Sequence, residues 1–285
     1  MIKLIASDMD GTLLDGNGGI SAYNVKMIKE AKEKGIYFVI ASGRAYSDIA
    51  PVIEPYHIKC ACVTGNGAEY IDEDGKLISS AYLNYQDALE VIEILKQEQI
   101  CFMIYTTLGT YSVEPVENVQ NAFIERSVKT GKATYEEAYE RISKKHSCFK
   151  MTEINDYKTF LKDVSIIKIE AFDYNVSKIS RAKFKFEKMG TISYLSSFPD
   201  NVEITNLQAT KGKILMQAIK SMNILPEEVM VIGDSYNDIS MFELFENSVI
   251  MENAPDEVKT FGKYISKSNL EDGVGYAIKE WGIKC

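Results

Sequence analysis

The sequence predicts an α/β fold: a Rossmann-like, doubly wound parallel sheet interrupted by an inserted α+β domain. Three observations predict it. Short continuous apolar runs alternate with amphipathic stretches at both ends of the chain, as strands buried on both faces of a parallel sheet do. From about Tyr85 the strands lengthen and alternate apolar with polar residues, the pattern of half-buried antiparallel strands. The chain has 285 residues, of which 46% are hydrophobic, enough for two domains at about 150 residues each. The expected division is a core of residues 1–82 and 209–285 with an insert at 83–208.

In chain order, Ile2–Ser7 reads as a buried strand, and Ser21–Lys34 as a helix opened by Ser21 and closed by Gly35. Ile36–Ala41 is a strand, Ala45–Ile53 a helix ending near Pro55, and Ile58–Thr64 a third strand. Glu69–Ser80 reads as a hairpin with Asp74-Gly75 at its turn. Tyr85–Gln99 is a helix with Ala88, Val91, Ile92 and Leu95 on one face, followed by Ile100–Thr106 and Tyr111–Glu114 as an antiparallel pair. A polar helical zone spans Val116–Lys145. Ser165–Asp173 is a strand, Val176–Lys188 a helix, and Ile192–Ser196 with Val202–Thr205 a further strand pair. After Thr210 the first texture returns: helix Lys211–Met222, strand Val229–Ile232, helix Asn237–Phe245, strand Ser248–Met251 and a last helix over Gly273–Trp281.

Charge and composition narrow the function. Lys and Arg number 32 against 41 Asp and Glu, a net charge of −9, which repels nucleic-acid phosphates. No apolar stretch approaches the ~18 residues a membrane span needs, and Asp8 follows Met1 too closely for a signal peptide. A cytoplasmic protein is expected. The five cysteines, Cys60, Cys62, Cys101, Cys148 and Cys285, form neither a disulfide framework nor a CxxC zinc pair. Cys60 and Cys62 share a strand face, where buried packing is the plain reading and a metal the other. With only two histidines, His57 and His146, triad and multi-histidine metal chemistry give way to carboxylates.

Four features carry chemistry. The first strand ends in Ser7-Asp8-Met9-Asp10-Gly11-Thr12-Leu13-Leu14. Reactive groups gather beyond the carboxyl ends of strands in open α/β sheets. Two carboxylates so close repel unless a cation lies between them or one is protonated. A calcium loop needs further oxygen ligands where Leu13 and Leu14 stand. The second feature, Gly233-Asp234-Ser235-Tyr236-Asn237-Asp238, again puts acids at a strand end. Together the two would bring Asp8, Asp10, Asp234 and Asp238 to one edge, where four converging acids require a metal and hard oxygens favour Mg²⁺. One of the later pair also suits a helix cap. Third, Ser42 of Ala41-Ser42-Gly43-Arg44 could donate to an anion or simply cap the next helix. Fourth, Lys211 sits in a first helical turn, against the helix dipole, and wants an anionic partner. A surface lysine and a phosphate ligand both fit that position.

In order, Asp-Met-Asp-Gly-Thr-Leu-Leu at 8–14, Ala-Ser-Gly-Arg at 41–44, Gly-Asn-Gly-Ala at 65–68, Lys-Gly at 211–212 and Gly-Asp-Ser-Tyr-Asn-Asp at 233–238 resemble the haloacid dehalogenase superfamily of phosphatases. Within it the chain is similar to the Cof-type subfamily with a IIB cap. The resemblance implies a fold, an activity and roles. Asp8 is the nucleophile, forming an aspartyl-phosphate, and Asp10 the general acid and base. Asp8, the Asp10 backbone carbonyl and Asp234 hold Mg²⁺; Ser42, Gly43, Lys211 and Asn237 grip the phosphoryl group; Asp238 supports from behind; Asn66 braces the first loop. The inserted domain closes over the mouth and excludes water. Its aromatics Phe102, Tyr105, Tyr111, Phe172, Tyr174 and Tyr194 are read as its own core before substrate contacts, with none singled out.

The implied activity is Mg²⁺-dependent hydrolysis of a small phosphorylated metabolite, a sugar phosphate first, pyridoxal phosphate or flavin mononucleotide second. A sugar phosphomutase, which would keep the phosphoryl group for transfer, is the near alternative. A non-catalytic phosphometabolite sensor is the distant one, and it would gain nothing from a nucleophile beside an acid. No nucleic acid or membrane partner is expected.

Overall fold

A computed structural model describes residues 1–131, 133–145, 150–196 and 198–283, so His146, Cys148 and Cys285 lie outside the described residues. Strand β1 (Leu4–Ser7) is buried along its length, and α1 (Ala22–Glu33) begins where the Ser21 hydroxyl accepts the Asn24 N–H at 3.1 Å. Strand β2 (Tyr37–Ala41), helix α2 (Tyr46–Ile53) and strand β3 (Ala61–Thr64) follow, then the antiparallel hairpin β4 (Glu69–Ile71) and β5 (Leu77–Ser80).

The inserted segment contains α3 (Tyr85–Gln97), β6 (Cys101–Thr106), β7 (Gly109–Ser112), α4 (Val116–Lys129) and α5 (Tyr135–Lys145). It continues through β8 (Thr152–Glu153), α6 (Tyr157–Phe160), β9 (Ile166–Phe172), α7 (Val176–Phe186), β10 (Ile192–Leu195) and β11 (Asn201–Asn206). The chain then returns through α8 (Lys211–Ser221), β12 (Val229–Gly233), α9 (Ile239–Leu244), β13 (Asn247–Ile250), α10 (Asp256–Lys259), β14 (Tyr264–Ile265) and α11 (Gly273–Ala277). Two compact units result: Met1–Ala81 with Gln208–Cys285, and Tyr82–Leu207.

In the first unit the sheet runs β14-β13-β12-β1-β2-β3-β4-β5, parallel from β14 to β3. Alternate side chains of β1 go to opposite faces, as the period-2 pleat dictates. Ile5 joins Phe38, Ile40 and Met230 in one core with Ile28 of α1 and Val274 of α11. Leu4 and Ala6 join Val39, Val231, Ile214 of α8 and Met241 of α9 in the other. Each of these buried Leu, Ile, Val, Met and Phe side chains contributes roughly 1.5–3 kcal/mol, and the two cores clamp the strand ends in fixed relation.

The second unit has its own sheet, β10-β11-β9-β6-β7-β8. Phe102, Ile104, Ile169 and Ile204 pack on one face with Val91 and Leu95 of α3 and Ile179 of α7. Met103 and Phe172 pack on the other with Val119 and Ile124 of α4 and Ala138 of α5. Of the six aromatics, Phe102 and Phe172 are core, Tyr105, Tyr111 and Tyr194 are half-buried, and Tyr174 is exposed.

The differences from expectation are local. The polar zone Val116–Lys145 is two helices, α4 and α5. The helix expected from Asn237 is regular only from Ile239, because Tyr236–Asp238 form a tight turn held by the Asp238 side chain. Among the described residues no helix is long and apolar enough to cross a membrane.

Candidate active site

At the carboxyl end of β1, the Asp8 N–H donates to the Ile232 carbonyl of β12 at 2.8 Å, which ties the two strand ends together. The chain turns at once through Met9–Leu13, with Gly11 at φ +78°. A Cβ on Gly11 would stand 2.4 Å from Asp234 Oδ2, so glycine is demanded both by the backbone and by the approach of that acid. The next residue, Thr12, is fully buried and donates its hydroxyl to Asp234 Oδ1 at 2.7 Å.

Helix α8 delivers the cation. Thr210 caps it, accepting the Lys213 N–H at 3.3 Å, and its first residue, Lys211, is wholly buried. Lys211 Nζ lies 2.6 Å from Asp8 Oδ1 and 2.7 Å from Asp238 Oδ1. The two carboxylates are the anionic partners its position against the dipole calls for. Asp238 is fully occupied: its Oδ2 also accepts the N–H groups of Asp234 and Ser235, both at 3.0 Å. One residue therefore caps a turn and braces the lysine.

Carboxylate oxygens of Asp8, Asp234 and Asp238 lie within 4.8 Å of one another. Burial raises the Asp8 carboxyl well above its ordinary range and the Asp238 charge adds to this, while Lys211 opposes both. Burial likewise lifts Asp234 to about 6, against the hydrogen bond from Thr12. Burial alone would lower the Lys211 ammonium, but Asp238 and Asp8 outweigh it and raise its affinity for the proton. Three carboxylates against one ammonium leave a surplus of negative charge, and oxygen donors of this kind suit a hard divalent cation. In the same loop, Asn237 Oδ1 is buried with no hydrogen-bond partner among the described residues, a further oxygen that a donor or a cation would satisfy.

The expected convergence of four acids is corrected to three. Asp10 turns its carboxylate aside into a two-pronged pair with Arg44, Nε to Oδ2 at 2.7 Å and Nη2 to Oδ1 at 2.6 Å, and remains largely exposed. The planar guanidinium matches the carboxylate fork. The other expected residues lie nearby in the fold. Ser42 is buried and its Oγ accepts the Arg44 N–H at 3.2 Å. A Cβ on Gly43 would meet Asn66 Oδ1 at 2.8 Å, and that oxygen accepts Asn237 Nδ2 at 3.1 Å. Asn66 thereby bridges the loop after β3 to the loop after β12. Arg44, Thr12 and Asn253 escaped the sequence reading. Asn253, in the turn after β13, donates to the Gly11 carbonyl at 2.8 Å and to Asp234 Oδ2 at 3.4 Å. Its one visible signal was its place just beyond a parallel strand, on the reactive edge.

Residues 5–278 match the family model described as haloacid dehalogenase-like hydrolase. The chain belongs to the haloacid dehalogenase-like hydrolases. It is 29% identical to 5-amino-6-(5-phospho-D-ribitylamino)uracil phosphatase YwtE of Bacillus subtilis, over 98% of each chain. A haloacid dehalogenase-like hydrolase from B. subtilis superposes with a TM-score of 0.85 at 26% identity, over 98% of this chain and 100% of that one. The sugar phosphatase BT4131, of HAD subclass IIB, shares the fold with a TM-score of 0.77 at 20% identity, over 99% of each. This haloacid dehalogenase-like hydrolase is accordingly an enzyme of the phosphatase class, and its acid cluster is of the kind that holds a divalent metal.

Proposed function

We propose that the chain is a Mg²⁺-dependent phosphomonoester hydrolase acting on small phosphorylated metabolites, sugar and polyol phosphates foremost, through an aspartyl-phosphate on Asp8. The observation that carries this reading is the triangle of Asp8, Asp234 and Asp238 with Lys211 buried against two of them. Asp8, Asp234 and the Asp10 backbone carbonyl would hold Mg²⁺, which when bound offsets the charge of the phosphoryl group.

The chain's own residues do the rest. Lys211 holds Asp8 Oδ1 and so orients the carboxylate that attacks phosphorus. The phosphorus–oxygen ester bond breaks, and the leaving alkoxide takes a proton from Asp10. Asp10 then accepts a proton from the water that splits the aspartyl-phosphate, releasing phosphate and restoring Asp8. Both Asp10 oxygens are engaged by Arg44, so this pair opens during turnover. Ser42 presents a buried hydroxyl and Gly43 a backbone N–H to the phosphoryl oxygens. The relative YwtE, whose named substrate carries its phosphate on a ribityl chain, supports the polyol class.

The test is phosphate release from a metabolite panel in Mg²⁺ or EDTA. Asp8→Asn is expected to lose at least about 10³-fold in turnover. Activity that survives EDTA, or an Asp8→Asn enzyme within tenfold of wild type, overturns the reading. Phosphoryl transfer to an added sugar without free phosphate would make the enzyme a mutase.

A further inference from the structure

We infer that Asn253 is a positioning residue for the metal ligand Asp234, acting from the turn after β13. The inference rests on the proposed reading of Asp234 as a Mg²⁺ ligand. Its geometry is a chain of directed hydrogen bonds. The Asn269 N–H donates to Asn253 Oδ1 at 3.0 Å, while Asn253 Nδ2 donates to the Gly11 carbonyl at 2.8 Å and reaches Asp234 Oδ2 at 3.4 Å. This orientation of the amide is self-consistent, since the flipped one would set Oδ1 against a carbonyl and Nδ2 against an N–H. Asn269 is itself held, with Nδ2 donating to the Leu14 carbonyl at 2.9 Å.

Asp234 is thus gripped on both oxygens, by Thr12 on Oδ1 and by Asn253 on Oδ2. The same asparagine fixes the glycine turn whose missing Cβ makes room for that carboxylate. Hydrogen bonds to ligating carboxylates set their direction and basicity, and losing one costs about 10–100-fold in metal affinity. Asn253 is exposed and its partners Gly11, Asp234 and Asn269 are half-buried rather than buried, so water can reach the groups its removal leaves and little stability is lost. The two effects therefore separate.

The experiment titrates metal-stripped protein with Mn²⁺, followed by calorimetry and by the electron paramagnetic resonance of free ion, with no substrate present. Asn253→Ala is expected to bind about tenfold or more weakly than wild type, with its melting temperature in EDTA within about 2 °C. In turnover its apparent KM for Mg²⁺ rises by a like factor, and kcat at saturating metal falls by less. A second variant, Asn253→Asp, sets a carboxylate beside Asp234 Oδ2. It is expected to melt lower than Asn253→Ala in EDTA and to recover in Mn²⁺. Wild-type Mn²⁺ affinity in Asn253→Ala, or an Asn253→Asp melting loss unchanged by metal, overturns the inference. A wild-type protein that binds no Mn²⁺ instead overturns the metal site itself.

Discussion

Asp10 and Asp234 show how far single residues can be read. The sequence placed both at strand ends, but the partner that engages Asp10, Arg44, stands 34 positions away and was only one letter of a motif. Pairings across loops depend on which loop the fold brings near, and spacing along the chain does not encode that. Asp10→Asn is expected to slow hydrolysis of a sugar phosphate far more than that of p-nitrophenyl phosphate, whose leaving group barely needs a proton. Equal losses on the two substrates, measured as kcat/KM, would remove the acid role. Asp234→Asn tests the other acid. The amide keeps an acceptor for Thr12, gives up the long 3.4 Å contact from Asn253, and sheds a charge that burial and Asp238 disfavour. Metal-free Asp234→Asn is expected to be about 1 kcal/mol more stable than wild type near neutral pH, while losing activity. Urea unfolding in EDTA measures this, and a less stable variant sinks it.

Among the elements, the strands of the first unit were the most legible, because runs such as Val229–Ile232, buried on both faces, are too short for a helix and rich in β-branched residues. The two-residue strands β8 and β14 carry too few residues for any periodicity to register. The start of α8 shows a second kind of illegibility. Lys211 read equally as surface or site, and only packing decides it: a Cβ on Gly212 would stand 1.9 Å from the Ser240 carbonyl oxygen. Backbone meets backbone there, and the helix end is pinned with its lysine pointing inward. Gly212→Ala is expected to destabilise by about 1–3 kcal/mol and to lower activity by displacing Lys211. Thr210→Ala, which removes only the cap, costs about 1 kcal/mol. Unfolding midpoints should rank the two in that order, and the reverse ranking would locate the constraint in the cap.

For the molecule as a whole, the site is an electrostatic liability that a cation relieves. In the fold Asp234 takes up its proton near pH 6, against an ordinary value of 3.8. Its favourable contribution is complete below the lower value and is lost as pH rises through about 6. Mg²⁺ is therefore expected to raise the melting temperature more at about pH 7.5 than at about pH 5, by differential scanning fluorimetry; an equal or opposite shift contradicts it. The two-ended construction of the sheet was legible from the return of the first texture after Thr210. It has a consequence for synthesis. Strand β1 lies between β2 and β12, and β12 ends at Gly233. At ribosomal speeds of roughly 5–20 residues per second, the nascent amino-terminal half-sheet waits on the order of ten seconds or longer with an apolar edge bare. That interval is when a holding chaperone, or a neighbouring nascent chain, would find it.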